Sequence, residues 1–220
     1  MALKLRSLAF ALAVFAAASG VSPAGAQRGP ETAPSPGPSP NPSPDWVTPP
    51  SDLPRPERGG RVYNLDTLFE ALKVAPDVDS AKAIEDRIWA VWMVSGSDTC
   101  NLLMGRAKAA ADEKDYDLAV KLLDAVVELR PDYVEGWNRR ATMYYLKKDY
   151  AHSIADIREV LAREPRHFGA LSGLGLILQE IGDDKHALEA YRRVLAIVPH
   201  EERIAETVKN LSEKVEGREI

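Results

Sequence analysis

The sequence predicts an all-α fold in which antiparallel helix pairs stack on one another. Three observations predict it. Prolines recur at a step of 34 residues, at Pro131, Pro165 and Pro199. Small and large apolar residues recur at the same step, and an aspartate falls at the same place in each unit. A period of this length is typical of helix–turn–helix arrays, whose units bury their apolar faces against their neighbours.

The recurring positions have a physical reason in such an array. Helices approach closely only where side chains are small, and larger apolar side chains fill the remaining space. Proline cannot continue a helix and ends the second one of each unit, while aspartate can cap a helix start. The small positions are Ala107, Ala141 and Gly175, and Ala119, Ser153 and Ala187; the large positions are Leu123, Ile157 and Tyr191, and Val126, Val160 and Val194; the aspartates are Asp115, Asp149 and Asp183.

Residues 1–26 are predicted to be a secretory signal peptide. Lys4 and Arg6 precede an uncharged apolar run over residues 8–18, and small residues follow up to Ala26. This order is typical of a signal that is cleaved, here after Ala26. We therefore expect an exported, periplasmic protein with no membrane span after cleavage. The run is shorter than the roughly 20 residues of a spanning helix, and a retained N-terminal membrane anchor is the alternative.

Residues 27–60 are predicted to be a proline-rich, disordered linker. Eleven of the 27 residues from 30 to 56 are proline, so this stretch lacks both backbone donors and the apolar side chains of a core. Such a composition favours polyproline II or disorder. A spacer and a docking site for a proline-reading partner are both open. Trp46 is the aromatic residue of this linker.

Both flanks of the repeating region are predicted to be helical. Residues 61–99 are interpreted as a degenerate helix pair, interrupted at Pro76 and Asp77. Residues 202–220 are interpreted as an amphipathic capping helix and a tail, which closes the open end of the stack. The apolar residues at helical spacing are Leu68, Phe69, Leu72, Ile84, Ile88, Trp89 and Trp92 in the first flank, and Ile204, Val208 and Leu211 in the second.

Three units carry a recurring set of bulky, small, aromatic and proline positions. Unit 134–167 has Trp137, Ala141, Tyr144, Ser153, Ile157 and Pro165; unit 168–201 has Leu171, Leu174, Gly175, Leu178, Ala187, Tyr191 and Pro199; unit 100–133 has Leu103, Ala107, Ala119, Leu123 and Pro131, with Arg106 and Ala110 where bulky residues are usual. In this pattern the chain resembles the tetratricopeptide repeat (TPR) family, as an exported bacterial member. The resemblance implies a right-handed α-solenoid of three TPR helix pairs.

Charge and reactive side chains favour no catalytic role. The chain has 28 basic and 33 acidic residues and a net charge of −5, without the basic stripe of a nucleic-acid-binding protein. His152 and His186 occupy equivalent places about 9–10 Å apart between helix axes, too far for a shared zinc ion. His167 and His200 are interpreted as polar turn residues, and the single cysteine, Cys100, as a core residue. We expect no enzyme activity, cofactor or metal.

The resemblance implies that the first helix of each unit lines a concave groove for an extended or helical peptide. Asparagine amides there could bond a peptide backbone, and Lys108 and Arg139 could pair with an acidic group. Gly169, Ser172 and Gly173 stand where some TPR domains supply cations for a C-terminal carboxylate, so we do not expect that clamp. The predicted groove residues are Asn101, Met104, Lys108, Asn138, Arg139, Thr142, Tyr145, Ser172, Leu176 and Gln179.

The resemblance therefore implies a non-catalytic periplasmic adaptor that binds a protein or peptide segment. Two alternatives remain open. One is an accessory subunit of an envelope enzyme or of a cytochrome-maturation assembly. The other is a structural protein that associates with itself.

Overall fold

The computed structural model describes residues 64–217, and these residues form nine helices and no strand. The helices are α1 (Leu65–Lys73), α2 (Val78–Trp92), α3 (Asp98–Asp112), α4 (Tyr116–Leu129), α5 (Val134–Leu146), α6 (Tyr150–Arg163), α7 (Phe168–Glu180), α8 (Asp184–Ile197) and α9 (Glu202–Val215). None of these helices is both long and apolar enough to cross a bilayer. The predicted signal peptide, its cleavage site and the proline-rich linker with Trp46 lie outside the described residues.

The repeat turns and caps follow the 34-residue period. Asp115, Asp149 and Asp183 each accept the backbone N–H three residues on, at 3.0, 3.3 and 3.3 Å. One residue before each aspartate is in a left-handed conformation, with φ of 62° at Lys114, 60° at Lys148 and 83° at Gly182. The helix pairs α3–α4, α5–α6 and α7–α8 are therefore three copies of one unit, which confirms the predicted all-α solenoid.

Small residues lie where helices cross, as the sequence predicts. A Cβ on Gly175 would lie 2.6 Å from Cε1 of Tyr191, so α7 and α8 can approach closely only because this position has no side chain. In the preceding unit, Ser153 Oγ donates a hydrogen bond to the carbonyl oxygen of Ala141 at 2.7 Å. The recurring small positions, here called columns of the repeat, thus mark the places where the two helices of each pair contact each other.

The C-terminal helix α9 packs on α8 and closes that end of the stack, as predicted. Leu211 is buried against the α8 residues Ala187, Leu188 and Tyr191. Around this apolar contact, Arg192 pairs with Glu216 at 2.7 Å.

The helices α1 and α2, here called the N-terminal hairpin, form as predicted but do not close the other end of the stack. Their buried residues share a core with Phe168 and Leu171 of α7 and with Val194 and Val198 of α8. Within residues 64–217 no side chain covers the outer face of α3: Leu102 is 58% exposed, and nothing lies within 4 Å of a Cβ built on Gly105. The hairpin therefore packs on the third unit, and in the described part of the chain the first unit has no outer neighbour.

Candidate functional site

The predicted groove residues lie on the first helices α3, α5 and α7, but they differ in exposure. Asn101 and Lys108 are exposed; Met104, Arg139, Tyr145, Ser172, Leu176 and Gln179 are half-buried; Asn138 and Thr142 are buried. The two most exposed residues already have local contacts. Asn101 Oδ1 accepts a hydrogen bond from Ser95 Oγ at 2.6 Å, and Lys108 forms an exposed ion pair with Asp112 at 2.8 Å.

Asn138 and Thr142 are not at the accessible surface of the groove. With Gly169 and Gly173 they line a narrow cleft between α5, α6 and α7. The hydroxyl of Thr142 donates to the carbonyl oxygen of Asn138 at 3.0 Å, one turn back along α5. These two polar side chains are therefore enclosed by the fold.

A buried polar cluster lies at the N-terminal ends of α5 and α7. The Glu135 carboxylate is fully buried, and it accepts hydrogen bonds from Arg139 Nε at 2.6 Å and Asn138 Nδ2 at 3.0 Å. His167 Nε2 lies 3.4 Å from the same carboxylate. Burial by itself raises the pKa of Glu135, but Arg139 and His167 outweigh it and hold that pKa below its ordinary value. Arg139 is therefore a counter-ion of the fold, with its side chain only 17% exposed.

His167 is buried, contrary to its interpretation as an ordinary polar turn residue. Its Nδ1 accepts the backbone N–H of Ala170 at 3.1 Å, so in the neutral ring the proton lies on Nε2, facing Glu135. The ring of Trp92 stacks on the imidazole, with centroids 4.0 Å apart and planes at 10°. A side chain of the N-terminal hairpin thus covers the polar cluster.

Trp89 completes the contact between the hairpin and α7. Its ring meets those of His167 and Phe168 edge-on, with centroids 5.5 Å apart in both cases. A Cβ on Gly169 would lie 2.8 Å from Cη2 of Trp89. Gly169 stands where some TPR domains supply a cation for a C-terminal carboxylate. Here, its lack of a side chain makes room for the indole of Trp89.

Polar contacts fix the hairpin at both ends. At its start, Arg166 pairs with Asp66 at 2.8 Å, and its guanidinium lies 4.2 Å from the ring centroid of Phe69. At its end, Arg130 Nη1 donates to the carbonyl oxygen of Ser95 at 2.7 Å. Tyr133 Oη donates to the carbonyl oxygen of the neighbouring Met93 at 3.2 Å. These bonds place the hairpin across the N-terminal ends of α5 and α7.

The C-terminal ends of α5 and α7 carry a different set of side chains. Tyr145, near the end of α5, donates a hydrogen bond to Glu180 Oε1 at 2.6 Å, and Tyr150, at the start of α6, donates to Glu180 Oε2. Burial and then the hydrogen bond to Glu180 raise the pKa of Tyr145 far above its usual range. For Tyr150, its own hydrogen bond to Glu180 is the main cause that raises the pKa to about 12. Glu180, which the sequence analysis did not single out, is exposed.

The reactive residues considered from the sequence are dispersed. His152 and His186 each lie 2.7 Å from the aspartate that caps their own helix. Cys100 is fully buried, as predicted. Within residues 64–217 no group of three or more histidine, cysteine, aspartate or glutamate side chains is placed to hold a metal ion.

Known proteins share both the sequence pattern and the fold. A family model described as tetratricopeptide repeat matches residues 104–159 and 149–202. A TPR repeat-containing protein of Rhizobium etli is 46% identical over 153 residues, which make up 70% of this chain and 75% of the relative. The small glutamine-rich tetratricopeptide repeat-containing protein 2 of Saccharomyces cerevisiae is 31% identical over 97 residues, 44% of this chain and 28% of its own length.

Two solved structures show the same fold at low sequence identity. The first TPR of Spaghetti (RPAP3), bound to the HSP90 peptide SRMEEVD, has a TM-score of 0.52 at 19% identity and covers 55% of this chain and 95% of its own. The Sgt2 TPR domain from Aspergillus fumigatus has a TM-score of 0.50 at 21% identity, covering 55% and 81%. With its repeated turns, its small-residue crossings and these relatives, the chain belongs to the TPR family, whose fold serves as a scaffold for protein–protein interaction.

Proposed function

We propose that this protein is a non-catalytic, exported adaptor that binds a segment of a partner protein along the concave face formed by α3, α5 and α7. One observation carries the proposal: the part of that face that the hairpin leaves open presents mixed apolar, aromatic and polar side chains that are half-buried or exposed. They are Asn101, Met104, Lys108, Tyr145, Leu176 and Gln179.

The size of the face suits a short polypeptide segment. A helix of 13 residues, the length of α5 and α7, is about 20 Å long, and packed helices lie about 9–10 Å apart. Three first helices therefore offer a wall that a segment of roughly six to eight extended residues could cross. Because the side-chain oxygen of Asn101 already accepts from Ser95, its NH₂ group is the part of the amide that would donate to a peptide carbonyl.

Export is proposed from the N-terminal sequence, which has the order of a secretory signal with cleavage after Ala26. The single cysteine is consistent with an oxidising compartment, because Cys100 is buried and has no second cysteine to pair with. The protein is therefore proposed to work in the periplasm.

A pair of charge substitutions tests the groove. Lys108 and Leu176 belong to the proposed groove, and Leu176 is in none of the buried apolar clusters, so Lys108→Glu with Leu176→Glu should leave the fold intact. The matched control is Lys121→Glu with Leu118→Glu, two exposed positions on the second helix α4. Arg139→Glu is unsuitable, because it would place a second carboxylate beside the buried Glu135.

The tagged full-length protein is crosslinked in intact cells, and the captured proteins are quantified by mass spectrometry. We expect the groove variant to recover the main crosslinked partner at least about tenfold less than the parent, as a loss near 1.4 kcal/mol implies. The control should recover it at the parental level. Equal recovery by the parent and the groove variant would remove the groove from the proposal.

Self-association is a second candidate, favoured by the uncovered outer face of α3. Leu102, Gly105 and Ala109 are exposed there, where an outer neighbour would pack in a longer array. Sedimentation velocity over a hundredfold range of concentration separates the two functions. A structural role requires a sedimentation coefficient that rises with concentration and returns to the monomer value in Leu102→Glu, whereas the adaptor needs neither.

A further inference from the structure

A carboxylate held by two tyrosines lies at the open end of the groove, on the side away from the hairpin. Glu180 is the last residue of α7, and its two oxygens each accept one tyrosine hydroxyl, from Tyr145 and from Tyr150. The two rings have centroids 6.0 Å apart. Among residues 64–217, no lysine or arginine forms an ion pair with Glu180, and Glu180 is exposed to solvent.

This arrangement holds a negative charge in a fixed place. The hydroxyls come from two different helices and restrict the rotation of the Glu180 side chain. Less conformational entropy of this side chain is then lost when a ligand binds. Each hydroxyl oxygen keeps acceptor capacity after donating its proton, as does the carboxylate. The three groups together offer a cluster of acceptors beside two aromatic rings.

We propose that Tyr145, Tyr150 and Glu180 form a recognition site for a lysine or arginine side chain of the bound partner segment. An ammonium has three N–H donors and a guanidinium has five, and both are attracted to aromatic rings. The net charge of −5 favours approach of a basic segment. This inference rests on the proposed function, because it assigns the chemistry of one residue of the segment that the groove binds.

The site is tested with a phage library of random twelve-residue peptides, selected on the immobilised protein lacking residues 1–26. The variant Glu180→Gln keeps an acceptor for the tyrosines and removes the charge. The control Glu128→Gln makes the same change of charge at an exposed position of α4. We expect the parent and the control to enrich peptides with a lysine or arginine at one position, and Glu180→Gln to lose this preference.

A selected peptide then enters a double-mutant cycle, with affinities measured by fluorescence polarisation. Replacing its basic residue by the uncharged, similarly shaped citrulline or norleucine should weaken binding to the parent about tenfold, as expected for a hydrogen bond to a charged group. The same replacement should have little effect on binding to Glu180→Gln. Tyr150→Phe provides a second variant, at a half-buried position, and should reduce the preference partially.

The outcomes separate this inference from the proposed function. One outcome is that peptides bind the parent in the groove, so that binding is lost in the variant with both Lys108→Glu and Leu176→Glu, and yet show no preferred basic residue. In that case the proposed recognition site is wrong and the adaptor function stands. If Glu180→Gln lowers the melting temperature and keeps the basic preference, the three side chains only join helices. If no peptide is enriched on the parent, both proposals fail.

Discussion

The two ends of the first helices α5 and α7 serve different purposes. At the hairpin end, the N-terminal ends of these helices, Trp89 and Trp92 cover a buried ion cluster. At the open end, the C-terminal ends, a carboxylate and two tyrosine hydroxyls meet in contact with solvent. One repeat face therefore buries a segment of its own chain at one end and leaves polar and aromatic side chains in contact with solvent at the other.

The difference has an energetic consequence. At the hairpin end the polar groups are enclosed, so the loss of one partner leaves another buried and unpaired. At the open end water can replace a lost hydrogen bond. Substitutions at the hairpin end should therefore change the free energy of unfolding strongly, and substitutions at the open end should change it by less than about 1 kcal/mol.

Trp92→Ala should have the largest effect. The indole of Trp92 is 6% exposed, stacks on His167 and contacts Phe69 and Phe168. Its removal leaves a cavity and exposes the Glu135 cluster, so we expect a loss of about 3–5 kcal/mol in the free energy of unfolding. Urea denaturation followed by circular dichroism measures this loss.

Two control substitutions test whether the two ends differ in stability. Trp92→Phe retains an aromatic ring and should lose clearly less stability than Trp92→Ala. Tyr150→Phe at the open end should change the free energy of unfolding by less than about 1 kcal/mol. A loss below that value for Trp92→Ala as well would show that the two ends do not differ in stability.

The repeating part of the fold could be predicted because its causes are local. The aspartate caps, the left-handed turn before each of them and the close crossing at Gly175 all recur with the period, and each involves residues within one unit. A single sequence therefore contains the same information three times. The prediction of helices α3 to α8 follows from that repetition.

The position of the hairpin could not be predicted, because it depends on contacts between distant residues. Trp89 meets Gly169, eighty positions further along the chain, and no period relates the two. The glycine itself was the available signal, since it stands on the expected binding face without a small-residue column to explain it. The burial of Asn138 and Thr142 has a similar cause, because the cleft that encloses them is formed by residues of three helices, α5, α6 and α7.

Glu180 was missed for a different reason. It follows the predicted groove residue Gln179 at the end of α7, where a carboxylate is easily taken for solvent-facing polarity. Tyr145 and Glu180 occupy adjacent columns of neighbouring units, and their side chains meet because the units stack in register. Comparison of adjacent columns across units, rather than of the same column, is the signal that would find such a site.

A carboxyl group within the hairpin should make the stability of this end depend on pH. Glu85 of α2 is half-buried, and burial, together with the nearby Glu201 carboxylate, raises its pKa from 4.5 to about 7. Lys82 and His200 act in the opposite direction, and Asp86 adds to the rise. His200 also holds the hairpin directly, because its Nε2 lies 2.9 Å from the carbonyl oxygen of Ala75.

Glu85→Gln should remove part of this sensitivity, with a smaller effect than Trp92→Ala. Because the folded protein binds the Glu85 proton more tightly than the unfolded chain does, stability should fall as pH rises from about 4.5 to about 7, and level off above that. The parent should therefore lose about 2 kcal/mol more than Glu85→Gln between pH 5 and pH 8, which allows for the partial exposure of Glu85. Urea denaturation at several pH values measures both slopes. Parallel slopes for the two proteins would show that Glu85 ionises freely and that the hairpin end tolerates its charge.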